Sequence, residues 1–299
     1  MNYINHTYSE LTVCCFVKDK IALFDKALAS ALVGEEFFNF YFMEVNKIYN
    51  ENCLDTMKRM PDCFIDLTVT SPPYDNLRDY KGYSFPFEEI AKELYRVTKQ
   101  GGVVVWVVGD ACLNGSETGT SFKQALYFMQ CGYNLHDTMI YKKHSIPQNS
   151  NRYEQHFEYM FVFSKGKPKT VNLIKEKSLT AGTFRNRNNG KGDKSAQQQR
   201  DERTLVNELK TRGNVWEYDI GKNDITEHPA VFPEKLAKEH IYSWSNEGDL
   251  IYDCFSGSGT TAKMAHLQKR NWIGSEISKE YVQIAERRLQ PYLAQTFLF

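Results

Sequence analysis

The chain has 299 residues, of which 41% are hydrophobic and 14% aromatic, enough for one large domain or for a core with an inserted module. Lysine plus arginine and aspartate plus glutamate both number 37, so the net charge is zero and a nucleic-acid binder must concentrate its positive charge locally. No apolar run is long enough to span a bilayer, no secretory signal is predicted, and the seven cysteines lack metal-ligand spacing, which favours a cytoplasmic protein without a metal site or membrane partner.

Residues 1–42 contain apolar and aromatic runs but no clear period. Two hypotheses stay open for this stretch. The natural start is Met43, or the stretch adds a strand or helix to the core. A regular pattern begins only at Met43-Glu44-Val45-Asn46.

From there the chain alternates between strand and helix patterns. The predicted strands are 47–50, 65–70, 103–108, 134–141, 157–163, 250–252 and 272–274. The predicted helices are a turn at 54–57 and the segments 87–97, 121–130, 232–245, 260–268 and 278–289. The strands at 134–141 and 157–163 can pair as a hairpin. The alternation predicts a mainly parallel sheet with helices on both faces.

Residues 164–227 interrupt the alternation with a polar and basic stretch. Between residues 164 and 213, thirteen basic residues against five acidic ones give a local net charge of +8. A solvated loop would have this composition, and so would a segment that contacts nucleic-acid phosphates. The stretch is also rich in Asn, Gln and Arg, the side chains that read base edges.

The most specific motif is Thr70-Ser71-Pro72-Pro73-Tyr74, at the end of an apolar strand. Prolines fix φ and lack an N–H donor, so they hold the neighbouring carbonyls and the Ser71 hydroxyl stiffly at the strand end. Such oxygens can accept hydrogen bonds from an amino group on a flat ring, and Tyr74 offers a surface on which that ring can stack. An ordinary turn is the alternative interpretation of this motif alone.

A second motif is the glycine loop Gly257-Ser258-Gly259-Thr260-Thr261-Ala262, between a strand and a helix. Glycines let a ligand approach the backbone closely, and an acidic residue at the next strand end can bind ribose hydroxyls. Glu276 has that position. The loop alone is equally typical of a nicotinamide dinucleotide site, although less than one mononucleotide-binding half follows it.

Together the two motifs resemble the β class of DNA amino-methyltransferases, in which the catalytic tetrapeptide precedes the glycine loop. These enzymes move a methyl group from S-adenosylmethionine to an exocyclic base nitrogen. The Ser-Pro-Pro-Tyr form resembles the cytosine-N4 enzymes, whereas adenine-N6 enzymes more often carry Asp first. The resemblance implies a site-specific methyltransferase that acts on a flipped cytosine in duplex DNA, within a restriction-modification system.

The resemblance also implies a fold and a domain organisation. The fold is α/β and Rossmann-like, that of S-adenosylmethionine-dependent methyltransferases, with a mostly parallel seven-stranded sheet and helices on both faces. The implied parts are an N-terminal extension (1–42), the catalytic half of the core (43–163), an inserted basic target-recognition region (164–227) and the cofactor-binding half (228–299).

Matching motif positions give the implied site residues. The catalytic residues are Ser71, Pro72, Pro73 and Tyr74. The cofactor-binding residues are Asn52, Cys53, Phe232, Asp253, Phe255, Gly257, Gly259, Thr260 and Glu276. The DNA-binding residues are Arg185, Arg187, Lys191, Lys194, Arg200 and Arg203. Two positions depart from the family pattern. Asn52 stands in place of the common Asp, which accepts a hydrogen bond from the adenine amino group of the cofactor, and the resemblance implies that the Asn52 oxygen accepts in its place. Cys254 stands in place of the usual Pro.

Four functions stay open on the sequence alone. They are a cytosine-N4 DNA methyltransferase, an adenine-N6 enzyme of the same architecture, a dinucleotide-dependent oxidoreductase and a catalytically silent DNA-binding relative. The expected partners are double-stranded DNA, a cognate restriction endonuclease and a second copy of the chain in a homodimer.

Overall fold

The computed structural model describes residues 43–73, 85–143, 153–186, 203–218 and 233–294. Within these ranges, the residues from Val45 onward belong to one compact unit. The sequence predicted the core to begin two residues earlier, at Met43.

The secondary structure alternates as expected through most of this unit. The strands are β1 (Lys47–Tyr49), β2 (Ile65–Thr70), β3 (Thr98–Val108), β4 (Cys112–Leu113), β5 (Ser116–Glu117), β6 (Asn134–Lys142), β7 (Phe157–Ser164), β8 (Lys175–Lys177), β9 (Phe184–Asn186), β10 (Arg203–Leu205), β11 (Leu209–Thr211), β12 (Val215–Glu217), β13 (Leu250–Asp253) and β14 (Asn271–Ser275). The helices are α1 (Cys53–Arg59), α2 (Phe87–Val97), α3 (Thr120–Gln130), α4 (Glu234–Trp244), α5 (Thr260–Leu267) and α6 (Lys279–Leu293).

One mixed sheet forms the centre of the unit, with strand order β1-β14-β13-β2-β3-β7-β6-β12. Five adjacent strands are parallel to one another, namely β1, β14, β13, β2 and β3. β7 is antiparallel to both β3 and β6, which confirms the predicted hairpin. The parallel part of the sheet therefore contains both motifs, and their strands β2 and β13 are neighbours.

The described residues place eight strands in this sheet, so the predicted count of seven is wrong. The additional strand is β12, which runs parallel to β6 at the edge. Only its central residue, Trp216, is buried, while Val215 and Glu217 are exposed. β12 was not predicted because three residues with one inward side chain produce no detectable period of hydrophobicity. They also lie inside the segment 164–227, which its composition had marked as an insertion.

Helices cover both faces of the sheet, with α4, α5 and α6 on one face and α2 and α3 on the other. The side chains of β3 point alternately to these two faces. Successive side chains of a strand point to opposite faces. Val105 and Val107 join the apolar cluster to which α4, α5 and α6 contribute. Trp106 points the other way and packs on Phe128 of α3, with ring centroids 5.0 Å apart, and on Phe87 of α2. The prediction of helices on both faces is confirmed.

Two short antiparallel ribbons lie in the basic segment, β8 with β11 and β9 with β10. In the second ribbon, Asn186 pairs with Arg203. The chain between residues 187 and 202 therefore leaves and re-enters the described structure at adjacent positions. In the part of the chain that the structure describes, no helix is long and apolar enough to cross a membrane.

Candidate functional site

Three neighbouring strands bring predicted site residues to one edge of the sheet. β2 leads into Ser71, β13 ends at Asp253 and leads into the glycine loop, and β14 leads into Glu276. These strands are parallel, in the order β14-β13-β2. The carboxyl edge of an open α/β sheet is where such folds bind ligands.

The tetrapeptide lies directly after β2. Pro72 is buried, whereas Ser71 and Pro73 are partly exposed. Ser71 is therefore held at the sheet edge by a buried neighbour and remains accessible from outside. Tyr74 lies outside the described residues, so its stacking role stays a prediction.

Asp253 connects the two motif strands. Its carboxylate oxygen Oδ1 accepts a hydrogen bond of 2.7 Å from the Thr70 hydroxyl and one of 3.1 Å from the Phe255 backbone N–H. Burial raises the pKa of the Asp253 carboxyl, and hydrogen bonds from Thr70, Phe255 and Thr261 act in the opposite direction. The side chain fixes the start of the glycine loop to the residue that precedes the tetrapeptide.

Thr70 is a residue of this edge that the sequence analysis did not select. It is almost fully buried, and its partner Asp253 lies 183 residues away in the chain. Its hydroxyl also accepts a contact of 3.6 Å from the thiol of Cys254. The available signal was the repeat of threonine at Thr68 and Thr70, which places two hydroxyls on the same face of β2 as Asp66.

Cys254 replaces the proline that the family pattern carries after the aspartate. The residue is buried, and burial raises the pKa of its thiol well above the usual value. The thiol therefore stays neutral and donates to Thr70. This contact adds a second link between β13 and β2.

The glycine loop has the backbone that the motif predicts. Gly257 and Gly259 have φ angles of +48° and +76°, in the left-handed region that favours glycine. A Cβ atom at Gly259 would also lie 2.9 Å from Cβ of Ala285 in α6. Gly259 precedes α5, so the loop presents the N-terminal end of that helix, beginning at Thr260, toward the site edge.

Glu276 closes the loop from the β14 side. One carboxylate oxygen accepts from the Gly257 N–H at 2.9 Å, and the other accepts from the Ser278 N–H at 2.8 Å. Burial raises the pKa of Glu276, while these two bonds oppose the shift. Each carboxylate oxygen has two acceptor positions, so both can still accept from a ligand hydroxyl. The donor and acceptor set fits a ribose.

Asn52 has a structural role that the motif did not indicate. Its side-chain oxygen accepts from the Leu54 N–H at 2.9 Å and caps α1. The predicted contact with the adenine of the cofactor would use the same oxygen. The neighbouring Cys53 is buried, and burial raises the pKa of its thiol to about 12, so it contributes a neutral surface.

Phe255 lies in an aromatic cluster beside the tetrapeptide strand. Its ring centroid is 5.7 Å from that of Phe85 and 6.2 Å from that of Trp106. Trp106 pairs with Thr70 across β2 and β3, and its indole N–H donates to Gln124 at 2.8 Å. Phe255 therefore continues an apolar wall along this edge. The sequence had assigned Phe255 only to the cofactor site.

The predicted DNA-binding residues lie on and between the strands of the second ribbon. Arg185 is in β9 and Arg203 in β10, where the structure describes the backbone. Arg187, Lys191, Lys194 and Arg200 lie outside the described residues, between these two strands. In the described ribbon formed by β8 and β11, Lys210 forms an ion pair of 3.0 Å with Glu176.

Phe232 also lies outside the described residues. The next residue, Pro233, is described and precedes α4. Among the described side chains, no group of three or more His, Cys, Asp or Glu residues is arranged to hold a metal ion.

Comparisons with known proteins agree with this arrangement. A family model described as DNA methylase matches residues 65–287. The chain is 57% identical over 247 residues to a Bacillus amyloliquefaciens protein named orphan methyltransferase M.BamHII, and this match covers 78% of the chain and 91% of the relative.

Solved structures show the same fold at low sequence identity. The PvuII DNA methyltransferase, described as cytosine-N4-specific, superposes with a TM-score of 0.63 and 20% identity, covering 87% of this chain and 90% of that one. The putative DNA modification methylase TTHA0409 of Thermus thermophilus, solved with S-adenosylmethionine, superposes with a TM-score of 0.58 and 21% identity, covering 84% of this chain and 95% of that one.

Proposed function

The chain belongs to the DNA methylase family that modifies exocyclic amino groups of bases, and on that premise we propose that it methylates N4 of cytosine in duplex DNA at a specific sequence. One observation supports this proposal most strongly. The tetrapeptide that begins with Ser71 and the glycine loop after Asp253 extend from neighbouring parallel strands, and Thr70 bonds directly to Asp253. A base-binding and a cofactor-binding element thus share one edge.

S-adenosylmethionine supplies the methyl group as a reactive sulfonium. Glu276 can accept hydrogen bonds from the ribose hydroxyls through the acceptor positions that its two backbone bonds leave. The left-handed backbone at Gly257 and Gly259 brings the loop's N–H groups and the start of α5 close to the ligand. The remainder of the cofactor interface, including Phe232 and the adenine contact of Asn52, is part of the proposal.

The amino nitrogen of cytosine is a weak nucleophile because its lone pair is conjugated with the ring. Hydrogen bonds from this amino group to the Ser71 hydroxyl and to the Pro72 carbonyl would favour a tetrahedral nitrogen and free the lone pair. Methyl transfer would then be a direct in-line displacement, in which positioning contributes much of the rate. The bond from nitrogen to the methyl carbon would form as the bond from sulfur to that carbon breaks, S-adenosylhomocysteine would leave, and the amino group would lose one proton to solvent. The base must leave the duplex to reach this edge, and Tyr74 would stack on it there.

The serine at position 71 is the reason for proposing cytosine rather than adenine. A neutral hydroxyl occupies the place where adenine-N6 enzymes of the family more often have Asp. The PvuII enzyme, which shares the fold, is described as cytosine-N4-specific. Adenine N6 stays the second candidate, because both bases offer similar amino hydrogens to the same acceptors.

The basic segment is the proposed DNA-recognition element, and a homodimer stays a prediction from the family resemblance. We also propose that the enzyme marks sequences of the kind that restriction-modification systems use. M.BamHII is named an orphan methyltransferase, so the proposal does not require a cognate nuclease in the same cell.

The test is nucleoside mass spectrometry of DNA from a host without endogenous methylation that expresses this chain. We expect N4-methylcytosine in the wild-type sample, and none with Ser71→Ala or Tyr74→Ala. Methylome sequencing of the same DNA gives the sequence context. Only N6-methyladenine would establish the second candidate, and unmodified DNA with a folded, expressed protein would overturn the proposal.

A further inference from the structure

A partly buried ionic cluster supports the glycine loop from the side of α6. Arg288 donates from Nη1 to the Ser258 carbonyl at 3.2 Å, to the Ser258 hydroxyl at 3.1 Å and to the Thr260 hydroxyl at 2.8 Å. Its side chain is only 13% exposed. One guanidinium nitrogen thus holds the loop at the point where α5 begins.

The second terminal nitrogen of the same guanidinium bonds to the carboxylate of Glu234. Glu234 is the first residue of α4 and also accepts from Lys263 of α5 at 2.6 Å. Burial alone would raise the pKa of Glu234, but the hydrogen bonds from Lys263 and Arg288 hold it below the ordinary value. The carboxylate is therefore charged, and the three side chains form a partly buried ionic cluster.

The two groups that Arg288 connects belong to the two cofactor segments of the proposed function. Ser258 and Thr260 are in the glycine loop, and Glu234 follows Pro233 and the predicted cofactor residue Phe232 in the chain. A planar guanidinium can bond in two directions at once, which a lysine ammonium does not reproduce. The cluster therefore fixes the glycine loop relative to the start of α4.

We propose that Arg288 is a positioning residue for the methyl donor, acting through Glu234 and the hydroxyls of Ser258 and Thr260. It does not contact the reacting atoms. The inference rests on the proposed function, because it assigns both segments to one S-adenosylmethionine site. Its consequence is that loss of the guanidinium weakens cofactor binding more than it weakens DNA binding or folding.

The experiment compares Arg288→Met with Arg287→Met in the full chain. Arg287 is the adjacent residue on α6 and is exposed. The two variants make the same substitution at neighbouring positions, so Arg287→Met controls for the loss of one arginine from the helix. The readouts are calorimetric affinity for S-adenosylhomocysteine, the melting temperature and DNA affinity at fixed salt. We expect the dissociation constant for S-adenosylhomocysteine to rise about tenfold or more in Arg288→Met. It should stay within about twofold of wild type in Arg287→Met.

Two further variants keep the test decisive if Arg288→Met does not fold. Arg288→Lys retains the charge, and Glu234→Gln retains the shape of the partner. Both should raise KM for S-adenosylmethionine several-fold with a smaller change in kcat, and Arg288→Lys should recover part of the affinity that Arg288→Met loses. Equal affinities and equal KM values across these variants would overturn the inference. Wild-type protein that binds no S-adenosylhomocysteine would instead overturn the proposed function.

Discussion

Thr68 and Thr70 lie on the same face of β2 and are both buried, yet their hydroxyls have different surroundings. Thr70 donates to Asp253 at 2.7 Å. The Thr68 hydroxyl has no hydrogen-bond partner among the described residues. A buried hydroxyl without a partner, such as that of Thr68, lowers the free energy of unfolding. Removal of the Thr70 hydroxyl would instead leave the buried Asp253 carboxylate without one of its donors, which costs the desolvation free energy of that carboxylate.

Thr70→Val should therefore lower the free energy of unfolding by about 1–3 kcal/mol and reduce kcat, because it releases Asp253 and the adjoining tetrapeptide. Thr68→Val, the same change two residues away, should leave stability equal or higher and methylation unchanged. Chemical denaturation and single-turnover methylation measure the two effects. Indistinguishable variants would show that the bond between Thr70 and Asp253 contributes nothing to the site.

Glu276 should make the cofactor-free protein less stable as pH rises. Burial raises the pKa of Glu276 above the ordinary 4.5, so the folded state binds the proton more tightly than the unfolded state does. Its stabilising contribution is complete below about pH 4.5 and is lost as the pH rises through the raised value. Asp253, which also has a raised pKa, contributes in the same direction.

Glu276→Gln removes this titration, so the melting temperature of wild type relative to the variant should fall as pH rises from about 4 to 8. Differential scanning calorimetry without cofactor measures the difference. The variant should also bind S-adenosylhomocysteine more weakly, because an amide supplies one oxygen acceptor instead of two. Parallel melting curves across the whole pH range would contradict the raised pKa.

At the same scale, the sequence placed Ser71, Asp253 and Glu276 at or just after the ends of three strands in a mainly parallel sheet, and the structure has those strand ends at one edge. The roles of the three residues stay predictions. The sequence did not predict Thr70 or Arg288 as partners of the loop. Their contacts depend on side-chain geometry between distant segments, and neither belongs to a recognisable motif. The helix-capping role of Asn52 was also hidden, since one asparagine signals a helix cap and a ligand acceptor equally well.

Among the elements, the ribbon of β9 and β10 carries the clearest expectation. Arg185 is the central residue of β9 and Arg203 the first residue of β10, and Arg187 and Arg200 come just after and just before these strands in the sequence. Asn186 pairs with Arg203, so the described backbone places the end of β9 beside the start of β10. Two of the four arginines, Arg185 and Arg203, therefore lie in one pair of strands.

Replacing Arg185 and Arg187 by Gln should weaken DNA binding and flatten its salt dependence. Each lost phosphate contact removes roughly 0.9 from the slope of log K against log salt. The matched pair Lys177→Gln and Lys210→Gln in the other ribbon should have a smaller effect, because Lys210 is already paired with Glu176. Fluorescence anisotropy across a salt series measures the slopes. If one arginine reads a guanine edge instead, about 1–3 kcal/mol of discrimination at one base pair is lost.

Deletion of residues 187–199, which lie between β9 and β10 in the chain, is a more severe test of the proposed DNA-recognition role. If affinity, salt slope and methylated sequence all stay unchanged, the segment has no recognition role.

Element prediction succeeded where the apolar period was long. α2 buries Ile90, Ala91, Leu94 and Val97, which share one helical face, and its predicted bounds agree with the structure. The strands from β8 to β12 were not predicted. Each has three residues, and most of their described side chains are exposed, so they are defined by backbone pairing rather than by a burial pattern.

For the whole molecule, the compact unit from Val45 onward predicts that residues 43–299 fold without the preceding stretch. A protein of residues 43–299 should melt cooperatively and methylate DNA at a rate within about twofold of the full chain. Calorimetry and a methylation assay measure both properties. Loss of the cooperative transition would show that the stretch before Met43 belongs to the core.

The strand order has a consequence for synthesis of the protein. β1 and β2 are consecutive in the chain, but β14 and β13 lie between them in the sheet. A ribosome produces Leu250–Ser275 only near the end of translation, so β2 lacks its partner on that side until then. The nascent chain carries its tetrapeptide early and completes the surrounding edge last. A prematurely terminated product therefore contains Ser71-Pro72-Pro73 without the strand β13 that leads into the glycine loop, and we expect it to leave DNA unmethylated.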